Sequence, residues 1–285
     1  MLRMTVIAAL IAGVLVLGGC GGDGGDAGTL RVSGSTTVNP VAADAAQALR
    51  GQFDVTVDAQ GGSAGGIAQL GAGQVQIAMS SKDLGEEDRR QFPRVRFAPT
   101  QIGADAVGIV VRHEVVDGGL RSVDRAQLQR LFEGRVKNWR ELGGPNLDVF
   151  VYDKEPGRGT REVLDKFLYG KDGSAPPPPD SSRYAIVGGN EEARSKLIST
   201  EGSVGPLSTS FVSGVKQLAV LAIDGVKPSA TTIEDGTYPL ARPLFLITDG
   251  PARGAAKQFI DYVLSPPGQK LVSKHGYVTV AELAG

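Results

Sequence analysis

Three short turns rich in glycine, serine and threonine are the segments of this chain best suited to bind a small anion. Their sequences are Gly-Ser-Thr-Thr at residues 34–37, Gly-Ser-Ala-Gly-Gly at 62–66 and Gly-Arg-Gly-Thr at 157–160. Each turn stands where the pattern indicates that a helix begins. Because a helix N-terminus carries unpaired N–H groups and a partial positive charge, three such turns brought together would surround an anion with donors.

The side chains of these turns add donors and charge. The hydroxyl donors are Ser35, Thr36, Thr37, Ser63 and Thr160. The cations in or beside the third turn are Lys154, Arg158 and Arg161. A dehydrated tetrahedral oxyanion needs a similar number of N–H and O–H donors, together with one or two positive charges. Taken singly, each turn is explained equally well as a helix cap made by serine or threonine.

A fourth polar segment, Ser-Ser-Lys-Asp at residues 80–83, follows the third predicted strand. Its residues Ser81, Lys82 and Asp83 bring a hydroxyl, a cation and a carboxylate to the carboxyl edge of a sheet. That edge is where α/β folds bind ligands. A polar loop leading into a charged helix explains the same residues, so both interpretations stay open at this point.

The elements that must position these segments alternate between strand and helix patterns from residue 30 onward. This alternation predicts an α/β fold with mostly parallel sheets. Strands are predicted at 29–33, 55–58, 75–79, 149–152 and 239–248. Helices are predicted at 38–49, from 67, and at 86–91, 122–132, 160–168, 190–198 and 255–264, with Asn190 as an N-cap. Ser265 followed by Pro266 indicates the start of one further helix.

A serine hydrolase is an alternative that the same residues allow. Residues 61–65 match the G-x-S-x-G pattern, which places a nucleophilic serine between a strand and a helix. Ser63 would be the nucleophile, and a later acidic residue with His275 would complete the order serine, acid, histidine. The other two turns would then have no evident role. His113 and His275 share no metal-ligand spacing, so neither a metal nor a cofactor is predicted.

Length, charge and the N-terminus limit the class of protein. The 285 residues allow two domains, and a net charge of −1 gives no indication of nucleic-acid binding. Arg3 precedes an apolar stretch at 6–17, too short for a permanent membrane span. It ends in Leu-Gly-Gly-Cys, which resembles the bacterial lipoprotein signal. We predict a signal peptide at 1–20, a lipid anchor on Cys20 and a flexible tether at 21–28.

Several motifs in order between residues 30 and 280 resemble those of the phosphate-binding proteins of ABC importers. Residues 34–38 and 62–66 resemble the first two signatures of that family. Leu-Phe-Glu-Gly at 131–134, followed by Asn138 and Trp139, matches its IFxGxxxxW region. Residues 155–161 resemble its Arg-Glu-x-Gly-Ser-Gly-Thr-Arg motif, and residues 238–245 and 259–278 resemble its C-terminal segment.

The resemblance implies a two-lobed periplasmic-binding-protein fold of type II. Each lobe would be a mixed, mostly parallel sheet flanked by helices, with residues 29–110 and 238–285 in the first lobe and 111–237 in the second. The protein would be an exported, lipid-anchored monomer facing the periplasm or cell exterior. It would close on inorganic phosphate and deliver it to a membrane permease without catalysing a reaction. Binding of another oxyanion, or a sensor role, are the alternatives on this fold.

The resemblance also carries ligand contacts onto Thr36, Thr37, Ser63, Gly159 and Thr160. This chain departs from the family pattern at three positions. Lys154 stands where the family has arginine, which keeps the charge but loses the bidentate fork. Arg158 stands where the family has serine. Ser81 stands where well-studied members have an aspartate that accepts the proton of hydrogen phosphate, with Lys82 and Asp83 beside it.

Overall fold

The computed structural model describes residues 29–170 and 174–285. The predicted signal peptide, Cys20 and the tether at 21–28 lie outside the described residues. Within the described residues, the helices fall short of the length and apolar character needed to cross a membrane.

The strands follow one another from the first turn to the C-terminal third of the chain. They are β1 (Leu30–Gly34), β2 (Val55–Asp58), β3 (Ile77–Ser80), β4 (Phe97–Arg112), β5 (Ser122–Val123), β6 (Phe150–Lys154), β7 (Tyr184–Val187), β8 (Ser203–Ser208), β9 (Leu218–Ile223) and β10 (Ala241–Asp249).

The helices alternate with these strands. They are α1 (Asn39–Ala48), α2 (Gly62–Gly71), α3 (Glu86–Gln91), α4 (His113–Asp117), α5 (Arg125–Phe132), α6 (Gly159–Tyr169), α7 (Asn190–Ser199), α8 (Ala230–Glu234), α9 (Gly254–Leu264), α10 (Pro266–Lys274) and α11 (Val280–Leu283). Short 3₁₀ helices cover Trp139–Leu142 and Thr209–Phe211.

The strands form one curled mixed sheet in the order β2-β1-β3-β10-β4-β8-β6-β7, with β9 paired to both β4 and β5. Parallel pairs at the two ends, β1 with β2 and β3, and β6 with β7 and β8, are joined through antiparallel pairs that involve β4 and β10. The 16-residue strand β4 pairs with β10 in its first part and with β8 and β9 in its last part. The predicted α/β fold of mixed sheets flanked by helices is confirmed.

In the described part of the chain, the two largest of four groups of buried apolar side chains divide the molecule into lobes. One core packs α1, α9 and α10 on β1, β3, the first part of β4 and β10. The other packs α5, α6 and the Trp139 segment on the last part of β4, β6, β8 and β9. We call the halves built on these cores the first and second lobes. The packing changes from one core to the other between Ile102 and Ala106 and between Leu240 and Leu244.

Two helix starts differ from the prediction: the helix expected from residue 67 begins earlier, at Gly62, and the helix expected from residue 122 begins later. A helix was expected over 122–132, but Ser122 and Val123 form a strand paired with β9, and the helix begins at Arg125. The reason is Asp124, whose side chain accepts a hydrogen bond from the N–H of Gln127 at 2.7 Å, while the Gln127 amide oxygen accepts from the N–H of Asp124. This reciprocal capping box fixes the start of the helix.

Candidate functional site

The three turns converge on one small cavity between the lobes, with a volume of about 10 Å³, which is room for roughly one water molecule. First-lobe and second-lobe residues line it in equal measure. Those of the first lobe are Ser35, Thr36, Thr37, Gly62, Ser63 and Ser81. Those of the second lobe are Lys154, Arg158, Gly159, Thr160, Gly188 and Asn190. The sequence therefore located the turns correctly as neighbours in space.

Serine or threonine capping does not explain these turns. Helix α1 has Val38 at its N-cap, α2 has Gly61 and α6 has Arg158, and no side chain makes a capping hydrogen bond at any of these three described helix starts. The capping interpretation is therefore wrong here. Since the first N–H groups of a helix have no intrahelical acceptor, the starts of α2 and α6 offer backbone donors to the cavity.

Two glycines allow the turns to approach one another. A Cβ atom on Gly159 would lie 2.7 Å from Ser81 Oγ and 2.8 Å from Ser63 Oγ, so any larger residue would displace both hydroxyls. Gly62 has φ +63°, and a Cβ there would lie 2.7 Å from Cδ of Arg158. The turns from opposite lobes can thus approach this closely only because Gly62 and Gly159 carry no side chain.

The first-lobe hydroxyls form a connected, buried network. The Ser35 hydroxyl accepts from the N–H of Thr37 at 3.2 Å and donates to Ser81 Oγ at 2.9 Å. Ser63 Oγ accepts from the N–H of Ser81 at 3.1 Å and lies 3.5 Å from Ser81 Oγ. The network ties the turns after β1 and β3 to the start of α2. It holds its hydroxyl groups at fixed positions on one wall of the cavity.

Lys154 is the buried cation of the opposite wall, at the end of β6. Its Nζ donates to the carbonyl oxygens of Gly188, at 3.1 Å, and Gly189, at 2.8 Å. Burial, together with the positive charges of Arg158 and Arg242, lowers the pKa of Lys154 to about 7. An ammonium group has three N–H donors, so one remains for a ligand. An anion in the cavity would favour the charged form of this lysine.

Arg158 is the second cation of that wall and lies mostly buried at the N-cap of α6. Its Nε and Nη2 donate to one carboxylate oxygen of Glu155, at 3.0 and 2.6 Å. The pair fixes the orientation of the guanidinium, and the Arg158 side chain lies against Gly62 in the cavity lining. The resemblance implied a small serine at this position, and the chain has a charged group there instead.

A buried ionic cluster behind β6 supports Lys154. Arg161 pairs with Asp153 and Asp165, and its Nη1 donates to the carbonyl oxygen of Lys154 at 2.9 Å. Tyr184 donates to Asp153 Oδ2 at 2.7 Å. Arg161 was a sequence candidate for direct charge, but the structure uses it to fix the backbone that carries Lys154.

Arg242 is the residue that sequence reasoning missed. It lies on β10 directly opposite Asp105 of β4 and pairs with it at 2.7 Å, both side chains being about 1% exposed. It also donates hydrogen bonds to the hydroxyls of three residues that line the cavity, namely Thr37, Ser81 and Thr160. Its only sequence signal was its place in the C-terminal motif at 238–245.

Asn190 was also assigned the wrong role. It was predicted to cap α7, but Gly189 occupies the N-cap position and Asn190 is the first helical residue. Its Nδ2 instead donates to Thr37 Oγ1 at 3.0 Å, across the cleft. An amide at a helix start satisfies the capping pattern and the cavity equally well, so the sequence does not distinguish the two.

Lys82 and Asp83 lie away from the cavity. They line a different depression, beside Lys166 and Pro243. Lys82 Nζ is bound to Asp88 at 2.9 Å and to Glu162 of the second lobe at 3.0 Å. The loop after β3 turns the backbone beyond Ser81 outward, so the structure does not bring these two candidates to the cavity.

The lobes touch each other on both sides of the cavity. The N–H of Ala64 donates to the carbonyl of Gly157 at 3.1 Å, which joins the second turn to the third. The Lys82–Glu162 pair and the Asn190–Thr37 bond also cross the cleft. The cavity is therefore closed by contacts between residues of both lobes.

Comparisons with known proteins agree with this geometry. The family model described as the PBP superfamily domain matches residues 22–267. The phosphate-binding protein PstS of Bacillus subtilis is 30% identical over 261 residues, which cover 90% of this chain and 82% of the relative.

This chain is a PstS-like member of the PBP superfamily. PstS of Borreliella burgdorferi is 24% identical over 88% of this chain and 90% of the relative. A phosphate ABC transporter substrate-binding protein from Clostridium perfringens, solved with bound phosphate, shares 25% identity with a TM-score of 0.78 and covers 88% of this chain and 99% of its own. A phosphate transport receptor from Vibrio cholerae superposes with a TM-score of 0.70, at 25% identity and with coverages of 88% and 99%.

For this PstS-like chain the hydrolase arrangement finds no geometric support. The hydrogen-bond partners of Ser63 Oγ are the N–H and Oγ of Ser81. His275 Nε2 lies 3.1 Å from Asp44 of α1, and neither residue belongs to the described cavity lining. A serine nucleophile needs a base within hydrogen-bond reach. Ser63 instead stands among donors.

Proposed function

We propose that this protein captures inorganic phosphate between its two lobes and delivers it to the permease of an ABC importer. The observation that carries the proposal is the cavity of a PstS-like chain that gathers hydroxyls from one lobe and two cations from the other. Charge-assisted hydrogen bonds from such groups are the strong ones that a dehydrated oxyanion needs. The chain binds its substrate as a carrier rather than converting it.

The ligand contacts are divided between the lobes. The first lobe contributes Ser35, Thr36, Thr37, Ser63 and Ser81, and the second contributes Lys154, Arg158, Gly159, Thr160 and Asn190. Lys82 and Asp83 are not among them, since they line another depression. The phosphate charge is met mainly by Lys154 and Arg158.

Capture proceeds by hinge closure about the two crossing strands, β4 and β10. A ligand that touches both lobes binds the closed arrangement more tightly than the open one, and so shifts the population toward it. The moving units are close to the expected ranges, residues 29–110 with 238–285, and 111–237. The separate cores support two such units with slightly different bounds, since Ala106, Val107, Ile109, Tyr238 and Leu240 pack in the core of the second lobe.

The protein acts outside the cytoplasm, as a monomer held to the membrane by a lipid on Cys20. The Leu-Gly-Gly-Cys sequence at 17–20 supports the anchor, and the Gly/Asp segment at 21–28 would let the lobes reach the permease. Mass spectrometry of the protein purified from membranes tests the anchor. A diacylglyceryl mass on Cys20 is expected, and an unmodified N-terminal segment that retains residues 1–19 would contradict it.

Titration calorimetry of the purified protein with phosphate, sulfate and molybdate tests the ligand. We expect saturable binding of phosphate, with the other anions weaker. Ser63→Ala should weaken phosphate binding without abolishing any ester turnover, because none is expected in the unmodified protein. Absence of phosphate binding would overturn the proposal. Turnover of a model ester that is lost in Ser63→Ala would favour the hydrolase.

A further inference from the structure

Arg242 has every donor of its guanidinium engaged. Nε and Nη2 donate to Asp105 Oδ2 at 3.0 and 2.7 Å. The second N–H of Nη2 donates to Thr37 Oγ1 at 3.0 Å. Nη1 donates to Ser81 Oγ at 3.2 Å and to Thr160 Oγ1 at 3.0 Å. These contacts use the five N–H groups that arginine possesses, so its orientation is fixed by the full set.

A hydroxyl that accepts from Arg242 loses one of its two lone pairs, which restricts where its own proton can point. Thr37 Oγ1 accepts from Arg242 and also from Asn190 Nδ2 at 3.0 Å. Both of its lone pairs are then occupied, so its O–H must donate. Thr37 lines the cavity, and the cavity is the direction left for that proton.

The same count applies to Ser81 and Ser63. Ser81 Oγ accepts from Arg242 and from the Ser35 hydroxyl, so its own proton must be donated either to the cavity or to Ser63 Oγ, 3.5 Å away. Ser63 Oγ already accepts from the N–H of Ser81. If it also accepts the Ser81 proton, both of its lone pairs are filled and its own O–H turns to the cavity. Either way, one proton of this pair faces the ligand.

Thr160 completes the set from the second lobe. Its Oγ1 accepts from Arg242 at 3.0 Å, and the residue lines the cavity. A single guanidinium thereby contacts hydroxyls of both lobes from the crossing strand β10. Asp105 pairs with it from the opposite strand, so the two side chains together are formally neutral.

We propose that Arg242, held by Asp105, is a positioning residue that forces the hydroxyl of Thr37 and one hydroxyl of the Ser81–Ser63 pair to present a proton to the bound anion, and that it orients the hydroxyl of Thr160. This inference rests on the proposed function, because it concerns how the same cavity recognises phosphate. Arg242 acts from outside the cavity lining, by occupying the acceptor sites of these oxygens. The ligand oxygens that face them are therefore selected to be unprotonated.

A double-mutant cycle on phosphate affinity tests the inference. Arg242→Lys keeps the charge beside Asp105, but an ammonium has three N–H donors on one atom and cannot serve the carboxylate and three hydroxyls together. Thr37→Val should weaken phosphate binding about tenfold in the unmodified protein and less than threefold in the Arg242→Lys background, because the hydroxyl is no longer forced to donate there.

Thr36 is the matched control for Thr37. It also lines the cavity, but among the described contacts it receives no hydrogen bond from Arg242. Thr36→Val should therefore weaken phosphate binding by the same factor in the unmodified protein and in the Arg242→Lys background. Ser208→Ala removes a 3.0 Å hydrogen bond to Asp105 Oδ1, the carboxylate oxygen that Arg242 does not contact, and should change affinity less than twofold.

The outcomes separate the inference from the proposed function. Failure of the unmodified protein to bind phosphate would overturn both. Phosphate binding with an equal cost of Thr37→Val in both backgrounds would overturn the inference alone. If Arg242→Lys does not fold, the neutral pair Arg242→Gln with Asp105→Asn replaces it.

Neutron diffraction of the unmodified phosphate complex gives a direct answer that needs no variant. A deuterium on Thr37 Oγ1 directed at a phosphate oxygen supports the inference. One directed at the Asn190 side chain contradicts it.

Discussion

Two buried lysines on opposite sides of the cleft are in contrasting electrostatic environments. Lys82 and Lys154 are 4% and 1% exposed. Lys82 binds two carboxylates, those of Asp88 and Glu162, whereas Lys154 Nζ binds the carbonyl oxygens of Gly188 and Gly189. Burial disfavours the charge of both, but the two carboxylates outweigh it and raise the pKa of Lys82. The pKa of Lys154 falls to about 7.

The difference assigns separate roles to two residues of one type. Lys82 has its anions within the protein, and one of them comes from the other lobe, so it joins the lobes. Lys154 has carbonyl partners that satisfy hydrogen bonds but do not neutralise charge. A buried cation without a counter-ion is costly, and an anion entering the cavity removes that cost. Lys154 is thus the side chain whose electrostatic free energy we expect to change most when the anion binds.

The largest expected effect is the loss of the Lys154 charge. Lys154→Met should weaken phosphate binding about a hundredfold, because a charge-assisted hydrogen bond contributes on the order of 1.5–3 kcal/mol. Calorimetry measures the change. Lys166→Met, an exposed lysine on α6, is the control and should bind like the unmodified protein. If Lys154→Met bound phosphate as tightly as the unmodified protein, Lys154 would not be the cation that meets the anion, and the proposed difference between Lys154 and Lys82 would be wrong.

The titration of Lys154 predicts a dependence on pH. With a pKa of about 7, half of the ligand-free protein carries the ammonium at pH 7 and about a tenth at pH 8. Since the anion binds the charged form, affinity should fall about fivefold over this interval relative to Lys154→Arg, whose guanidinium stays protonated. The ratio of the affinity of the unmodified protein to that of Lys154→Arg, taken at each pH, cancels the effect of phosphate ionisation, because both proteins bind the same ligand. A constant ratio between pH 7 and 8 would contradict a titrating Lys154.

The smallest effect concerns the bond from Lys82 to the second lobe. Glu162→Gln should weaken phosphate binding about twofold to fivefold and speed its release, because a partly exposed ion pair between the lobes stabilises the closed state only modestly. Asp88→Asn alters the same lysine within the first lobe and should change affinity less than twofold. Stopped-flow release rates compare the two variants. Equal release rates would show that Lys82 does not act on closure.

Local pattern predicted much of the fold. The strand at 55–58 and the helix at 86–91 occur as expected, and Ser265 caps α10 with Pro266 at the first helical position. These elements carry their own periodicity and end signals. Strands β7, β8 and β9 were not predicted, although β8 is buried throughout, because their short apolar runs have no distinctive end signals.

In the candidate site, as in the fold, some features were predictable from local sequence and others were not. The sequence by itself determined the three turns, since glycine permits the positive-φ backbone that such turns need and a helix start supplies unpaired N–H groups whatever surrounds it. Only the tertiary structure decided that Lys154 faces the cavity while Lys82 pairs with carboxylates, and that Arg242 reaches Thr37, 205 positions earlier in the chain. The environment of a charged side chain depends on which distant strands pack around it, and local sequence does not encode that packing.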